Sequence, residues 1–371
     1  MNPISTLFII YDLERGGPEL RLLDFARHFP PDIKMHICVT SSNLSLLPEF
    51  LQLNANVQVV LVSKGYLELN KAFKIYRYVK ANHISIINSF GLKELFLSVA
   101  IKAFSGWNLK TVHHSVDLLH QYGTIQKNLL RFLLKSTNAV LCNSEQSMKL
   151  VKGFSVPEDK IAVIKNGIDT SKFEKSSYND QGLRTKYGFK NSDVILGTIA
   201  NFRNVKNYPF LINAFRILLK RHANLRLLCV GGGYLLDEMK EVIRSHELER
   251  DVILTGYSKD VTKYLSLMDV FVLCSLQEGF PNVLLQAMSM KIPVIASDVG
   301  GCSEIISNRT NGILYPSNDL EEFIESVEML IADRDFASRL GVNAKRTVVE
   351  KFPLNRMIDE YAAFFRPLSE F

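Results

Sequence analysis

The sequence predicts an α/β chain built as two similar halves, each a parallel sheet covered by helices on both faces. Three observations carry that expectation. Short apolar runs of about four to six residues alternate with longer amphipathic stretches, the pattern of buried parallel strands and their crossover helices. The rhythm stops at a polar stretch after residue 170 and then restarts, which implies two halves with a cleft between them. With 371 residues, 47% of them apolar and 22% charged, the chain has material for two cores, and domains of about 150–200 residues are a comfortable division.

In the first half, Leu7–Ile10, His36–Val39, Val57–Val62, Ile84–Ile87, Ala139–Cys142 and Ile161–Ile164 read as strands, and Leu109–Val112 is strand-like. Leu22–Ala26 and Lys71–Lys80 read as helix. A further helix carries Lys127, Arg131 and Lys135 at i, i+4 and i+8, which places three cations on one face. The polar stretch Ser171–Lys190 reads as a linker or long loop. In the second half, strands are expected at Val194–Ile199, Leu225–Val230, Val252–Leu254, Val270–Cys274, Pro293–Ser297 and Gly312–Tyr315. Helices are expected at about Pro209–Arg221, Leu235–His246 and Asn282–Met290. The tail is helical: Leu320–Ala332 with Glu321 and Glu322 in its first turn, Asp335–Lys351 up to Pro353, then Leu354–Phe365, well placed to cross back onto the first half.

The net charge of +6 is unevenly spread. Residues 1–170 hold 19 Lys and Arg against 13 Asp and Glu, whereas the remainder holds 25 of each. The first half is therefore expected to meet something anionic: an acidic substrate, a membrane surface or nucleic acid. No helix-turn-helix, zinc-finger or aromatic RNP-like pattern interrupts the rhythm, which argues against nucleic acid. No apolar stretch approaches the roughly 18 residues of a spanning helix, and Met1-Asn2-Pro3-Ile4 does not read as a secretory signal. Five scattered cysteines without a C-x-x-C read as reduced thiols in a cytoplasmic protein, with neither a disulfide scaffold nor a zinc site.

The stretch from Glu278 to Met288 is the most informative. An acidic residue and a glycine close a strand, Pro281 suits a first helical turn, and the helix that follows offers free backbone N–H groups to an anion. Glu278 in the loop and Gln286 about a turn into the helix can face one ligand; a strand-to-helix turn with a chance carboxylate is the competing account. Gly300-Gly301 ends another strand, and Asn201-Phe202-Arg203-Asn204-Val205-Lys206 places two cations at a third. Ligands of open parallel sheets bind at that carboxyl edge.

The 278–316 stretch resembles the signature of the retaining glycosyltransferases of family 4, a large GT-B group that uses nucleotide sugars. Matching positions are Glu278, Gly279, Phe280, Pro281, Ala287, Met288, Pro293, Val294, Gly300, Gly301, Glu304, Asn311 and Gly312. Asn166-Gly167-Ile168-Asp169 with Phe173 resembles the family's interdomain motif, Asn201–Lys206 its A-N-x-R-x-x-K variant, and Gly16-Gly17 its N-terminal glycine loop. The resemblance spans essentially the whole chain. It implies a GT-B fold: two Rossmann-like domains facing a cleft, with the C-terminal helix crossing back. Residues 1–170, joined by 354–371, would bind the acceptor, and 171–353 the nucleotide sugar.

The resemblance also implies roles. Arg203 and Lys206 would neutralise the departing diphosphate, helped by backbone N–H groups around Phe280, Pro281, Asn282, Val283 and Leu284. Glu278 would hold sugar hydroxyls, and Gln286 would contact the ribose. Gly16 and Gly17 would admit a phosphate or the acceptor. Gly231 and Gly233 would form the floor near the base, with Tyr257 at its border. His113 matches a family histidine that faces the transferred sugar and is preferred over His114; Asp117 would orient a ring or stand solvated. Asn143-Ser144-Glu145 resembles a family pair near the cleft and equally reads as a helix cap.

Two departures matter. Gln286 replaces the second Glu of the motif and loses a charge-assisted bond, on the order of 1 kcal/mol, so weaker donor binding is expected. Lys291 stands where the family usually has a glycine with positive φ, which implies an altered turn. The expected activity is transfer from a UDP- or GDP-sugar, with retention and no metal requirement, to a glycan or lipid-linked acceptor in polysaccharide biosynthesis. Asp333-Arg334-Asp335 reads as a solvated turn. Lys127, Arg131 and Lys135 suit contact with an anionic membrane, on its inner cytoplasmic face; a helix with a merely solvated basic side is the alternative. The competing functions are a non-catalytic GT-B-like nucleotide-sugar-binding protein and another GT-B enzyme such as a sugar-nucleotide epimerase.

Overall fold

The computed structural model describes residues 3–14, 16–53, 56–59, 68–115, 123–173 and 180–369. Asp117, residues 60–62 of the expected third strand and residues 174–179 of the expected linker lie outside them. The chain divides into two compact units, Met1–Asn166 with Leu354–Phe371, and Gly167–Pro353.

The first unit holds a seven-stranded sheet in the order β3-β2-β1-β4-β5-β6-β7. Its strands are β1 (Ile4–Ile10), β2 (Ile33–Val39), β3 (Asn56–Val59), β4 (Ile86–Phe90), β5 (Lys110–Ser115), β6 (Ala139–Cys142) and β7 (Ile161–Val163), and their pairings are parallel. Successive side chains of a strand face opposite ways, and β1 uses both faces. Phe8 and Ile10 pack with α1 (Gly17–His28) and α15 (Leu354–Leu368). Leu7 and Ile9 pack with α3 (Glu68–Ala81) and α4 (Leu92–Phe104). Alongside α4 lies α5 (Thr124–Ser136), which together with α6 (Glu145–Lys152) covers β6. The C-terminal helix thus belongs to the first unit, as the resemblance implied.

The second unit holds a six-stranded parallel sheet in the order β10-β9-β8-β11-β12-β13. The strands are β8 (Val194–Ile199), β9 (Leu225–Val230), β10 (Val252–Leu254), β11 (Val270–Leu273), β12 (Val294–Ser297) and β13 (Ile313–Tyr315). The helices flanking it include α8 (Tyr208–Arg221), α11 (Asn282–Ser289), α13 (Leu320–Ala332) and α14 (Arg334–Lys351). Within the expected linker, Asp180–Lys186 is a helix, α7.

Each sheet is wound outward from one strand pair, β1 with β4 and β8 with β11. At such a switch point the loops leaving the two strands part in opposite directions and open a crevice at the carboxyl edge. Two local expectations are corrected. Pro281 does not lie within the first turn of α11; it is the N-cap, with extended φ −77° and ψ 99°. The turn at Lys291 is not altered: Lys291 itself adopts φ 59°, the conformation a glycine would have taken. Among the described residues, no helix is long and apolar enough to cross a membrane.

Candidate active site

The switch point of the second sheet gathers the candidate chemistry. The loop after β8 carries Arg203 and Lys206, and the loop after β11 carries Glu278. Leu276 N–H donates to the Val205 carbonyl at 2.8 Å, which ties the two loops backbone to backbone. Lys206 Nζ lies 2.5 Å from Glu278 Oε1, with side-chain exposures of 22% and 10%. Ser275 Oγ donates to the same oxygen at 2.6 Å. Arg203, on the same loop as Lys206, is exposed.

The glycine pair after β12 supports this arrangement. Gly300 has φ +54°, and a Cβ there would run into the Glu278 carbonyl. Gly301 N–H donates to the Gly279 carbonyl at 3.0 Å. The pair is small so that the 300–301 turn can lie against the backbone that carries Glu278. No side chain caps α11 at Pro281; Leu284 N–H donates to the Pro281 carbonyl at 3.0 Å, and the helix begins at the end of the loop that carries Glu278. Phe280, Pro281 and Leu284 are buried, and Phe280 packs edge-on against Phe352 at 5.6 Å. Asn282, Val283 and Gln286 are half-buried on α11.

Gly231 and Gly233 follow β9. Their φ values of 154° and 141° and their approach to the Ala200 and Phe202 backbones leave no room for a Cβ. They bring the β9 loop against the cationic loop, where Phe202 N–H donates to the Gly232 carbonyl at 2.7 Å. Tyr257 is exposed beside them. Tyr234 is also exposed, and its hydroxyl accepts from Asn204 N–H at 3.1 Å. Neither Tyr234 nor Ser275 carries a motif that signals it in the sequence; each is identified by a contact with the loops that do.

In the first unit, Gly16 is the N-cap of α1 in extended geometry, and the space in front of its Cα is filled by the Glu19 carboxylate. A Cβ on Gly17 would meet nothing, so that face of the turn is open. Burial pushes the Glu19 carboxyl up to about 7, its own backbone N–H opposes this, and the Asp12 charge adds to the rise.

His113 and His114 leave β5 on opposite faces. His114 is a core residue: its Nε2 pairs with Asn88 Oδ1 at 3.0 Å, and its ring stacks on Phe90 and Tyr361. His113 is buried too, with Nδ1 3.2 Å from Ser89 Oγ. Burial pulls its imidazole down to about 4, so it is neutral at pH 7. Ser144 caps α6 by accepting from Ser147 N–H at 3.0 Å, a structural task. Asp333 likewise caps α14 by accepting from Phe336 N–H at 2.8 Å. Among the described residues, no three His, Cys, Asp or Glu side chains form a metal-binding group.

Helix α5 divides into three stripes at 100° per residue. Leu130, Leu133 and Leu134 are buried in the core. Lys127, Arg131 and Lys135 form an exposed basic stripe. Ile125, Leu129 and Phe132 form a third stripe that is apolar yet 86%, 41% and 65% exposed.

Comparison with known proteins agrees with this architecture. Residues 179–347 match the family described as Glycosyl transferases group 1, and residues 15–172 match Glycosyltransferase Family 4. The N-acetyl-alpha-D-glucosaminyl L-malate synthase of Bacillus anthracis is 27% identical over 238 residues; the match covers 64% of this chain and 62% of that protein. The UDP-Gal:alpha-D-GlcNAc-diphosphoundecaprenol alpha-1,3-galactosyltransferase of Escherichia coli is 24% identical over 315 residues, 82% of this chain and 79% of that one. The crystal structure of Anabaena Alr3699/HepE in complex with UDP and glucose superposes with a TM-score of 0.88 at 20% identity, covering 98% of this chain and 99% of that chain. The paired Rossmann-like sheets, the returning C-terminal helix and the two family matches make the chain a GT-B-fold glycosyltransferase related to Family 4 and the group 1 glycosyl transferases.

Proposed function

We propose that the protein is a retaining glycosyltransferase that moves a sugar from a UDP-sugar to a lipid-linked saccharide during cell-surface polysaccharide biosynthesis. The observation that carries this reading is the Lys206–Glu278–Ser275 cluster at the switch point, beside Arg203 and the uncapped N-terminus of α11. Cations and oriented N–H groups stabilise a departing diphosphate. With Lys206 and Ser275 both on Oε1, Glu278 turns Oε2 toward a sugar hydroxyl. Gln286 meets the ribose, and Tyr257 with Gly231 and Gly233 borders the base. His113 faces the transferred sugar as a neutral imidazole. Gly17, at the open face of its turn, admits the acceptor or its phosphate to the first unit, while the Glu19 carboxylate occupies the space at Gly16. The departing phosphate accepts the acceptor's proton on the face it leaves, so the anomeric configuration is retained without an enzyme nucleophile.

The choice of UDP is supported by the names of the Escherichia coli and Anabaena relatives, and the lipid-linked acceptor by the former. The test is release of UDP or GDP from a panel of nucleotide sugars, with the product anomer read by NMR. Absence of both nucleotide release and a thermal shift with every donor in the panel refutes the reading.

The α5 surface supports peripheral attachment to an anionic bilayer. Its basic and exposed apolar stripes adjoin, the arrangement of a helix that lies in the headgroup region. Flotation with anionic vesicles should exceed that with neutral ones and fall for Arg131→Glu or Phe132→Ser; equal binding to both lipids argues for a merely solvated helix.

A further inference from the structure

We infer that Ser275 is a positioning residue of the transfer site, one whose hydroxyl decides which oxygen of Glu278 meets the sugar. This rests on the donor reading above. Ser275 lies two residues beyond β11 and is fully buried. Its Oγ donates to Glu278 Oε1 at 2.6 Å, the oxygen that Lys206 Nζ also occupies. An ionised carboxylate oxygen has two in-plane acceptor lobes, so Oε1 is filled and Oε2 alone remains for a ligand hydroxyl. Ser275 is itself held from a second strand, because Ser297 Oγ, at the end of β12 and equally buried, donates to the Ser275 carbonyl at 2.6 Å.

The two donors on Oε1 behave differently when the nucleotide sugar arrives. Lys206 carries a charge and is drawn to the diphosphate, which weakens its hold on Glu278. Ser275 is neutral, shielded from solvent and fixed by β12, so it has no competing anion to serve. It keeps the carboxylate in its rotamer at the moment Lys206 is shared. The orientation is set when the protein folds rather than when the ligand binds, which is the condition for an effective polar site.

This assignment separates the nucleotide from the sugar. The probes are UDP, which lacks the sugar, and UDP-glucose, used with wild type, Ser275→Ala and Ser275→Thr. In Ser275→Ala, UDP affinity by calorimetry should hold. The kcat for UDP-glucose turnover should fall about 10-fold, the effect expected for losing a supporting hydrogen bond to a charged group, with KM changing less. Ser275→Thr, which keeps the hydroxyl, should recover most of the rate. Full kcat in Ser275→Ala overturns the inference, and so does a parallel loss of UDP affinity, the mark of a loosened fold. If the wild type turns over no nucleotide sugar, it is the donor reading that fails. The contact is then judged without ligand by a thermal double-mutant cycle of Ser275→Ala with Glu278→Gln. Coupling between the two supports the assignment, and strict additivity overturns it.

Discussion

Replacing Glu278 with alanine should abolish sugar transfer and leave a folded, measurably weakened protein. The substitution removes the partner of Lys206 and the acceptor of Ser275. The ion pair, at 22% and 10% exposure, is neither a surface pair nor a fully enclosed one. Its loss falls between about 0–1 kcal/mol for exposed pairs and about 3–5 kcal/mol for buried ones; Lys206 can swing toward water, which favours about 1–2 kcal/mol. The stranded Ser275 hydroxyl adds about 1 kcal/mol if water enters the space left by the carboxylate. A total of about 2–3 kcal/mol lowers the melting temperature of a unit this size by roughly 4–12 °C and is within the stability of an ordinary domain. Circular dichroism at 25 °C and a melting curve check the fold, and UDP release from UDP-glucose checks the chemistry, where a loss of about 10²-fold or more is expected. An active Glu278→Ala protein refutes the site; an unchanged melting temperature refutes the account of the cluster.

Three further outcomes are expected. Gln286→Glu should tighten UDP binding several-fold, about 1 kcal/mol, measured by calorimetry; unchanged affinity would remove Gln286 from the ribose site. Lys291→Gly should raise the melting temperature through about 0.5–1 kcal/mol, because Lys291 holds φ 59° without a glycine's freedom. The pH profile of stability should have two opposed arms. Burial lowers His36 and His113 from 6.5 to about 4, so their contribution is full above pH 6.5 and is lost as pH falls through 4. Glu19 is raised from 4.5 to about 7, so its contribution is full below pH 4.5 and is lost as pH rises through 7. Glu19→Gln should flatten the alkaline arm and move the stability maximum upward in melting curves from pH 4 to 9; an unaltered profile refutes the burial of that carboxyl.

What the residues reveal in one dimension depends on how each element is buried. β6, β8, β9, β10 and α13 lie at the residues expected from their apolar runs, because turn residues bound them sharply. β1 begins at Ile4 rather than Leu7, since Ser5 and Thr6 are polar and yet buried, with Thr6 Oγ1 accepting from Asn88 Nδ2 at 2.7 Å. Hydropathy cannot show a polar group whose partner lies on another strand. α4 went unread for the opposite reason. It packs between α3 and α5 and has no wholly polar face, so it lacks the periodicity of a surface helix. α7 is hidden in a stretch whose composition resembles a loop. At the site, Lys206 and Glu278 were legible as residues at strand ends, but their pairing spans 72 positions. Ser275 and Tyr234 become visible only once the loops are folded together.

The return of α15 to the first unit has a consequence for biosynthesis. Met357, Ile358, Tyr361 and Phe365 are integral to the core around Phe8 and Phe25, yet they leave the ribosome only after the whole of the second unit. The second unit is one unbroken stretch, 167–353, and can close while the chain is still being made. The first unit, although it is synthesised before the second, must wait with an uncovered aromatic face for α15. A chain stopped at Pro353 would have a nearly intact second unit and an aggregation-prone first one.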